Sequence, residues 1–136
     1  MTRLRAFFKY GLLIFIAAAL AIIFVSLPVS CTGNGDYGSS LPKNTIMDIG
    51  SEGCSPCRQL KPILAELEED YGDKVDFIFY EAWYSEEGAA MAEKFGVTAV
   101  PCVIFLNADG KEVKRLTGLR DYKTYEDVLI SLGWIE

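Results

Sequence analysis

The sequence predicts an α/β fold with the element order β-α-β-α-β-β-α, and three observations carry that reading. From residue 44 onward, short runs rich in β-branched and aromatic residues alternate with stretches of helical apolar periodicity. The first run, Thr45-Ile46-Met47-Asp48-Ile49, leads through Cys54-Ser55-Pro56-Cys57 directly into such a helical stretch. A turn sequence, Asn107-Ala108-Asp109-Gly110, separates the last two runs and marks a hairpin. Parallel strands joined by helices, closed by an antiparallel hairpin, make an α/β sandwich around a mixed sheet.

The elements follow in order. The first strand covers 44–50, and the first helix covers 55–70, where Leu60, Ile63, Leu64 and Leu67 recur on one face. Pro62 falls inside that helix, where it removes a hydrogen bond and is expected to kink the axis. A strand at 75–81 and a helix at 86–95 come next, and strands 102–107 and 111–117 form the hairpin. The last helix, 122–132, begins after Asp121, a suitable N-cap, and presents Tyr125, Val128, Leu129 and Leu132 on its buried face.

The first thirty residues have a different character. Residues 11–27 carry no charge, and seventeen residues in a helix span about 26 Å, just short of the hydrocarbon core of a bilayer. Arg3, Arg5 and Lys9 precede the run, and positive charge stays on the cytoplasmic side. The domain is therefore expected at the cytoplasmic membrane, facing the periplasm or the cell exterior. Leu27-Pro28-Val29-Ser30-Cys31 resembles a bacterial lipoprotein cleavage site, although Pro28 fits that pattern poorly. Two outcomes stay open: residues 1–31 form an uncleaved anchor, or they are a signal and Cys31 is lipidated. Residues 32–43, rich in glycine and serine, are expected to be a flexible linker with a reach of roughly 20 Å. A single domain then occupies 44–136. Without the three leading cations, ten basic residues face nineteen acidic ones, a net charge of −9. That sign excludes a phosphate-binding surface and leaves nucleic acid out as a partner.

The candidate chemistry lies in Cys54-Ser55-Pro56-Cys57. Cys54 sits at the turn from strand to helix, where unpaired backbone N–H groups and the helix dipole favour a thiolate. Cys57 is one turn further in, close enough to form a short disulfide and to resolve a mixed one. A zinc site needs four ligands, and the chain holds no histidine and only two further cysteines, Cys31 and Cys102. An inert structural disulfide does not need the helix start. Redox exchange does, and Cys54 is expected to be the exposed nucleophile.

Over residues 44–133 the chain resembles the thioredoxin family, on several separate motifs. Cys54-Ser55-Pro56-Cys57 matches the family's C-x-P-C active site, and Pro62 its helix proline. Ala99-Val100-Pro101 looks like the cis-proline loop that packs beside the dithiol, and Gly118 falls on a family glycine. Asp48 falls where the family keeps a buried acid beneath the second cysteine. The resemblance implies a thioredoxin-like fold, with helices on both faces of a central mixed sheet. It also implies a thiol–disulfide oxidoreductase whose catalytic residues are Cys54, Cys57 and Asp48. Ser55, Pro56, Val100 and Pro101 would support them. The redox centre would be the dithiol itself, with no cofactor and no metal.

The chain departs from the family at informative places. Gly50 and Gly53 stand where tryptophans usually precede the active site, and Phe79 stands at the position of the lysine that partners the buried acid. Without that cation Asp48 is expected to be harder to ionise. Cys102, directly after Pro101, is either a buried small side chain or a third thiol beside the dithiol. Ser55 and Pro56 bring no charge between the cysteines, which resembles the reducing branch. Partners would then be client proteins with disulfides and a membrane-embedded thiol electron donor. Two alternatives remain open here: a soft-metal module using Cys54, Cys57 and Cys102, and an interaction domain without turnover.

Overall fold

The computed structural model describes residues 36–136, so the run at 11–27, Cys31 and the start of the linker lie outside the described residues. Seven elements follow one another: β1 (Thr45–Gly50), α1 (Ser55–Tyr71), β2 (Asp76–Glu81), α2 (Glu86–Lys94), β3 (Cys102–Leu106), β4 (Glu112–Thr117) and α3 (Tyr122–Ser131). All seven are the elements expected from the sequence, with ends displaced by one residue at most.

The sheet order is β2-β1-β3-β4. β1 runs parallel to β2, while β1–β3 and β3–β4 are antiparallel. β1 is therefore an inner strand, and every one of its residues is buried. Strand alternation divides the core in two. On one face Ile46, Val103 and Phe105 meet Leu60, Leu64 and Leu67 of α1 and Tyr125 and Leu129 of α3. On the other, Met47, Ile49, Ile104 and Leu106 meet Phe95 and the α2 residues Met91 and Ala92. Helices thus cover both faces, two on the first and one short helix on the second.

The flexible linker expected over 32–43 needs correction in its described part. The Tyr37 N–H donates to the Gly110 carbonyl and the Leu41 N–H to the Ala108 carbonyl, both at 2.8 Å. Tyr37 and Leu41 also pack on the second core, and the Tyr37 and Tyr80 hydroxyls lie 2.9 Å apart. Two large side chains and two backbone hydrogen bonds are enough to pin residues 37–41 along the β3–β4 turn.

Each helix start is satisfied locally. Cys54, Ser85 and Asp121 are the N-caps of α1, α2 and α3, each accepting from a backbone N–H in the first turn. α1 continues through the exposed Pro62 without a break, although the Arg58 carbonyl loses its helical donor there.

α2 approaches the end of β2 so closely that a Cβ on Gly88 would fall 1.9 Å from the Glu81 carbonyl oxygen. Helix propensity alone favours alanine over glycine by up to about 1 kcal/mol. A backbone clash of this kind costs more than that, since overpacking by a single methyl costs about 1–3 kcal/mol. Gly88→Ala is therefore expected to destabilise the domain by about 2 kcal/mol in urea unfolding; a stabilised variant would show that α2 sits further from β2.

Candidate active site

The loop Ser51–Cys54 carries the chain from the buried β1 to the start of α1. Cys54 is held in extended conformation as the N-cap, and its Sγ accepts the Cys57 N–H at 3.3 Å. A disulfide joins Cys54 to Cys57, with Cα atoms 5.2 Å apart, so the structure is the oxidised form. Ser55 and Pro56 are the exposed first residues of α1, where the missing N–H of Pro56 costs no hydrogen bond. The expectation of an openly exposed Cys54 is corrected: it retains 7% of its surface against 1% for Cys57. The two sulfurs differ less in access than in position, with Cys54 at the positive end of the helix.

The segment before β3 closes the site from the other side. The Val100–Pro101 peptide is cis, as the resemblance implied, and the Val100 carbonyl oxygen lies 3.9 Å from Cys54 Sγ. The Gly118 N–H, at the end of β4, donates to the Pro101 carbonyl at 2.8 Å and holds that loop to the sheet. Cys102 does not join the group. Its side chain belongs to the second core, on the opposite face of the sheet from Asp48, and burial pushes its thiol pKa up. The Thr117 hydroxyl donates to its sulfur at 3.9 Å. Among the described residues, no three His, Cys, Asp or Glu side chains gather as metal ligands. The third-thiol and soft-metal readings of Cys102 thus find no geometric support, and the small buried side chain remains.

Asp48 is on the first face, 4% exposed, and its Oδ1 takes no hydrogen bond from the protein. Burial pushes its pKa up to about 7, opposed by the charge of Lys61. Asp48 is thus harder to ionise, as expected with Phe79 at the lysine position, although a cation reaches it from elsewhere. Lys61 comes from α1, lines the same cavity as Asp48, and places its ammonium 5.0 Å from the centroid of the Phe79 ring. The signal was present in the sequence, because Lys61 lies four residues after Cys57 and so on the same helical face.

The two glycines are compensated from β2 and the turn that follows it. A Cβ on Gly50 would lie 3.3 Å from the Phe79 ring, 3.5 Å from Cys57 Cβ and 3.6 Å from Asp48 Oδ1. One on Gly53 would lie 2.9 Å from the Tyr84 hydroxyl and 3.3 Å from the Trp83 ring. Aromatic cover beside the dithiol is thus supplied by Phe79, Trp83 and Tyr84 rather than from the loop itself. Trp83 and Tyr84 remain 56% and 75% exposed. Glu81 ties the two segments together: its carboxylate accepts the Glu52 N–H at 2.7 Å and the Trp83 N–H at 3.0 Å. Burial opposes ionisation of Glu81, yet these backbone donors, with Ser51, hold its pKa below the usual carboxylate value. Sequence reasoning passed over Glu81, since nothing local marks a strand-end glutamate as a clamp.

Asp48 gives the oxidised protein a pH dependence whose sign follows from its raised pKa. The folded chain binds the Asp48 proton more tightly than the unfolded chain, so this group favours folding below about pH 4 and that contribution is lost as pH rises through about 7. Asp48→Asn is therefore expected to match the parent near pH 4 and to be more stable by about 2–4 kcal/mol at pH 8. Denaturant titrations across that range measure the difference. A gap that stays constant with pH would show that Asp48 ionises normally.

Comparison with known proteins places this geometry in a family. A family model described as "Thioredoxin-like domain" matches residues 39–132. The thioredoxin of Chlamydia caviae is 36% identical over 87 residues, 64% of this chain and 76% of its own. The mitochondrial thioredoxin-2 of Schizosaccharomyces pombe is 35% identical over 97 residues, 70% of this chain and 68% of its own. The crystal structure of thioredoxin NaTrxh from Nicotiana alata superposes with a TM-score of 0.58 at 30% identity, covering 67% of this chain and 74% of that one. With the C-x-x-C disulfide at the start of α1, the chain belongs to the thioredoxin-like family and is a thiol–disulfide oxidoreductase.

Proposed function

We propose that the protein is a disulfide reductase that acts on client proteins outside the cytoplasm, with Cys54 as nucleophile, Cys57 as resolving thiol and Asp48 as proton acceptor. The observation that carries this reading is the Cys54–Cys57 disulfide at the N-terminus of α1, with a buried carboxyl flanking the same gap at Gly50 as Cys57. In the reduced protein the Cys54 thiolate attacks one sulfur of a client disulfide. An S–S bond forms to the client while the client's own breaks, releasing one client thiolate. Asp48 then takes the Cys57 proton across the Gly50 gap, and the Cys57 thiolate attacks Cys54 Sγ. The second client thiolate leaves, the client has gained two electrons, and the protein is left in the oxidised form described above. A thiol donor in the membrane restores the dithiol by the reverse exchange. No other redox group is needed for these steps.

Location belongs to the same proposal. Residues 11–27, or a lipid on Cys31, would hold the domain at the outer face of the cytoplasmic membrane and concentrate it near a membrane-bound donor. Among the described residues, no helix is long and apolar enough to cross a membrane. The direction of exchange rests on the uncharged Ser55-Pro56 pair, which gives the thiolate no extra stabilisation and so disfavours a strongly oxidising disulfide.

Measurement of the reduction potential tests the direction: a value near about −270 mV supports a reductase, and one near about −120 mV an oxidase. Alkylation of the reduced protein near neutral pH is expected to modify Cys54 first, because the helix start lowers its pKa; faster labelling of Cys57 would reverse the two roles. Cys57→Ser in intact cells is expected to accumulate mixed disulfides with extracytoplasmic clients and a membrane donor. These should vanish when Cys54 is also replaced and persist when only Cys102 is. Adducts with cytoplasmic proteins alone would overturn the proposed location.

A further inference from the structure

The cavity beside Asp48 contains a charge arrangement that the exchange steps above do not use. It measures about 290 Å3 and is lined by Asp48, Lys61, Leu64, Glu68, Phe77 and Phe79, among others. Asp48 enters from β1 with an unpartnered Oδ1. Phe79 is its register neighbour on β2, and Lys61 comes down from α1 onto that ring. At the rim the same ammonium pairs with Glu52. The Glu52 backbone is fixed, its N–H donating to Glu81 at 2.7 Å and its carbonyl accepting from Arg58 at 2.8 Å. One lysine therefore faces two carboxyls, a buried one without a partner and an exposed one that holds it.

We propose that Lys61 is the positioning cation of Asp48, and that Glu52 controls how much of its charge Asp48 receives. The inference deepens the reading of Asp48 as proton acceptor and rests on it for its role in exchange. The Lys61 and Glu52 side chains are 41% and 59% exposed, so their pair is screened and weak. The contact with Phe79 is of similar strength at such a site. Neither fixes an ammonium on a flexible four-carbon stem. An ionised Asp48, in contrast, sits where water does not screen it and attracts Lys61 strongly. While Asp48 carries its proton, Lys61 rests on Glu52. When Asp48 takes up negative charge, the ammonium gains by leaning inward over Phe79. When Asp48 then takes the Cys57 proton, its charge is lost and Lys61 returns to the rim.

The other titratable groups around Asp48 do not supply this charge. Cys57 on α1 exchanges the proton itself, and Glu68 at the cavity wall is of the wrong sign. Tyr125 on α3 is kept neutral by burial, with its pKa pushed up to about 12. Cys102 on β3 faces the opposite side of the sheet and is likewise kept neutral. Lys61 is the one cationic side chain lining the cavity among the described residues.

The test is direct titration of the Asp48 carboxyl carbon by NMR in the oxidised full-length protein, solubilised in neutral detergent and labelled at aspartate, with Asp48→Asn assigning the signal. Lys61→Met is expected to raise the midpoint by about half to one pH unit, and Lys61→Arg to leave it nearly unchanged. Glu52→Gln is expected to lower the midpoint, and to do so far less in the Lys61→Met background, because it acts through Lys61. An unchanged midpoint in Lys61→Met overturns the proposal. So does an equal effect of Glu52→Gln in both backgrounds, which would make Glu52 an independent charge. The role in exchange is separated by kinetics: if Asp48→Asn leaves the resolution rate and its pH profile untouched while Lys61→Met still moves the midpoint, the proton-acceptor reading fails and the coupling stands.

Discussion

The burial of β1 is the constraint on which the site depends. This strand is hydrogen-bonded along both edges and covered on both faces, so a polar side chain on it is cut off from water. That cost appears as a pKa pushed up to about 7, so the Asp48 carboxylate is a stronger base than an exposed one while still forming near neutral pH, which suits a proton acceptor in thiol exchange. The same strand ends beside the start of α1, so the sheet that buries the acid also delivers Cys54 to the helix N-terminus. A surface strand would supply neither.

Around that strand the supporting chemistry has been rearranged among elements. The loop before the dithiol is reduced to glycine at Gly50 and Gly53, and the aromatic surface enters from β2 and its following turn through Phe79, Trp83 and Tyr84. Phe79 occupies the strand position that the resemblance assigns to a lysine, and a cation enters instead from α1 as Lys61. The aromatic and the charged group remain in contact, but the chain segments that supply them differ. Glu81 makes the arrangement rigid by accepting from the backbones of both the dithiol loop and the aromatic turn.

What the sequence discloses follows the range of each interaction. Periodicity and turn residues are local, so all seven elements and the N-cap Asp121 were legible, as was the pairing of Cys54 with Cys57 three residues apart. The burial of Asp48 was left open by its neighbours Met47 and Ile49, because alternation allows an outward side chain. The inner position of β1 removed that freedom, and only the strand order shows it. The face occupied by Cys102 was hidden for the same reason. Residues 36–41 read as linker from glycine and serine content, yet Tyr37 and Leu41 were the two side chains able to anchor it. Glu81 and the pairing of Lys61 with Glu52 depend on contacts between separate segments and had no signature of their own.

The two faces of the sheet are not covered equally. The first is covered by two helices, whereas the second has only nine-residue α2 and the strap formed by Tyr37 and Leu41. Short elements with few buried contacts are where a domain opens locally without unfolding as a whole. The α2 side is thus the less firmly held of the two. Cys102 lies directly beneath that cover, inert while it is closed. Its thiol therefore meets solvent only when that cover lifts.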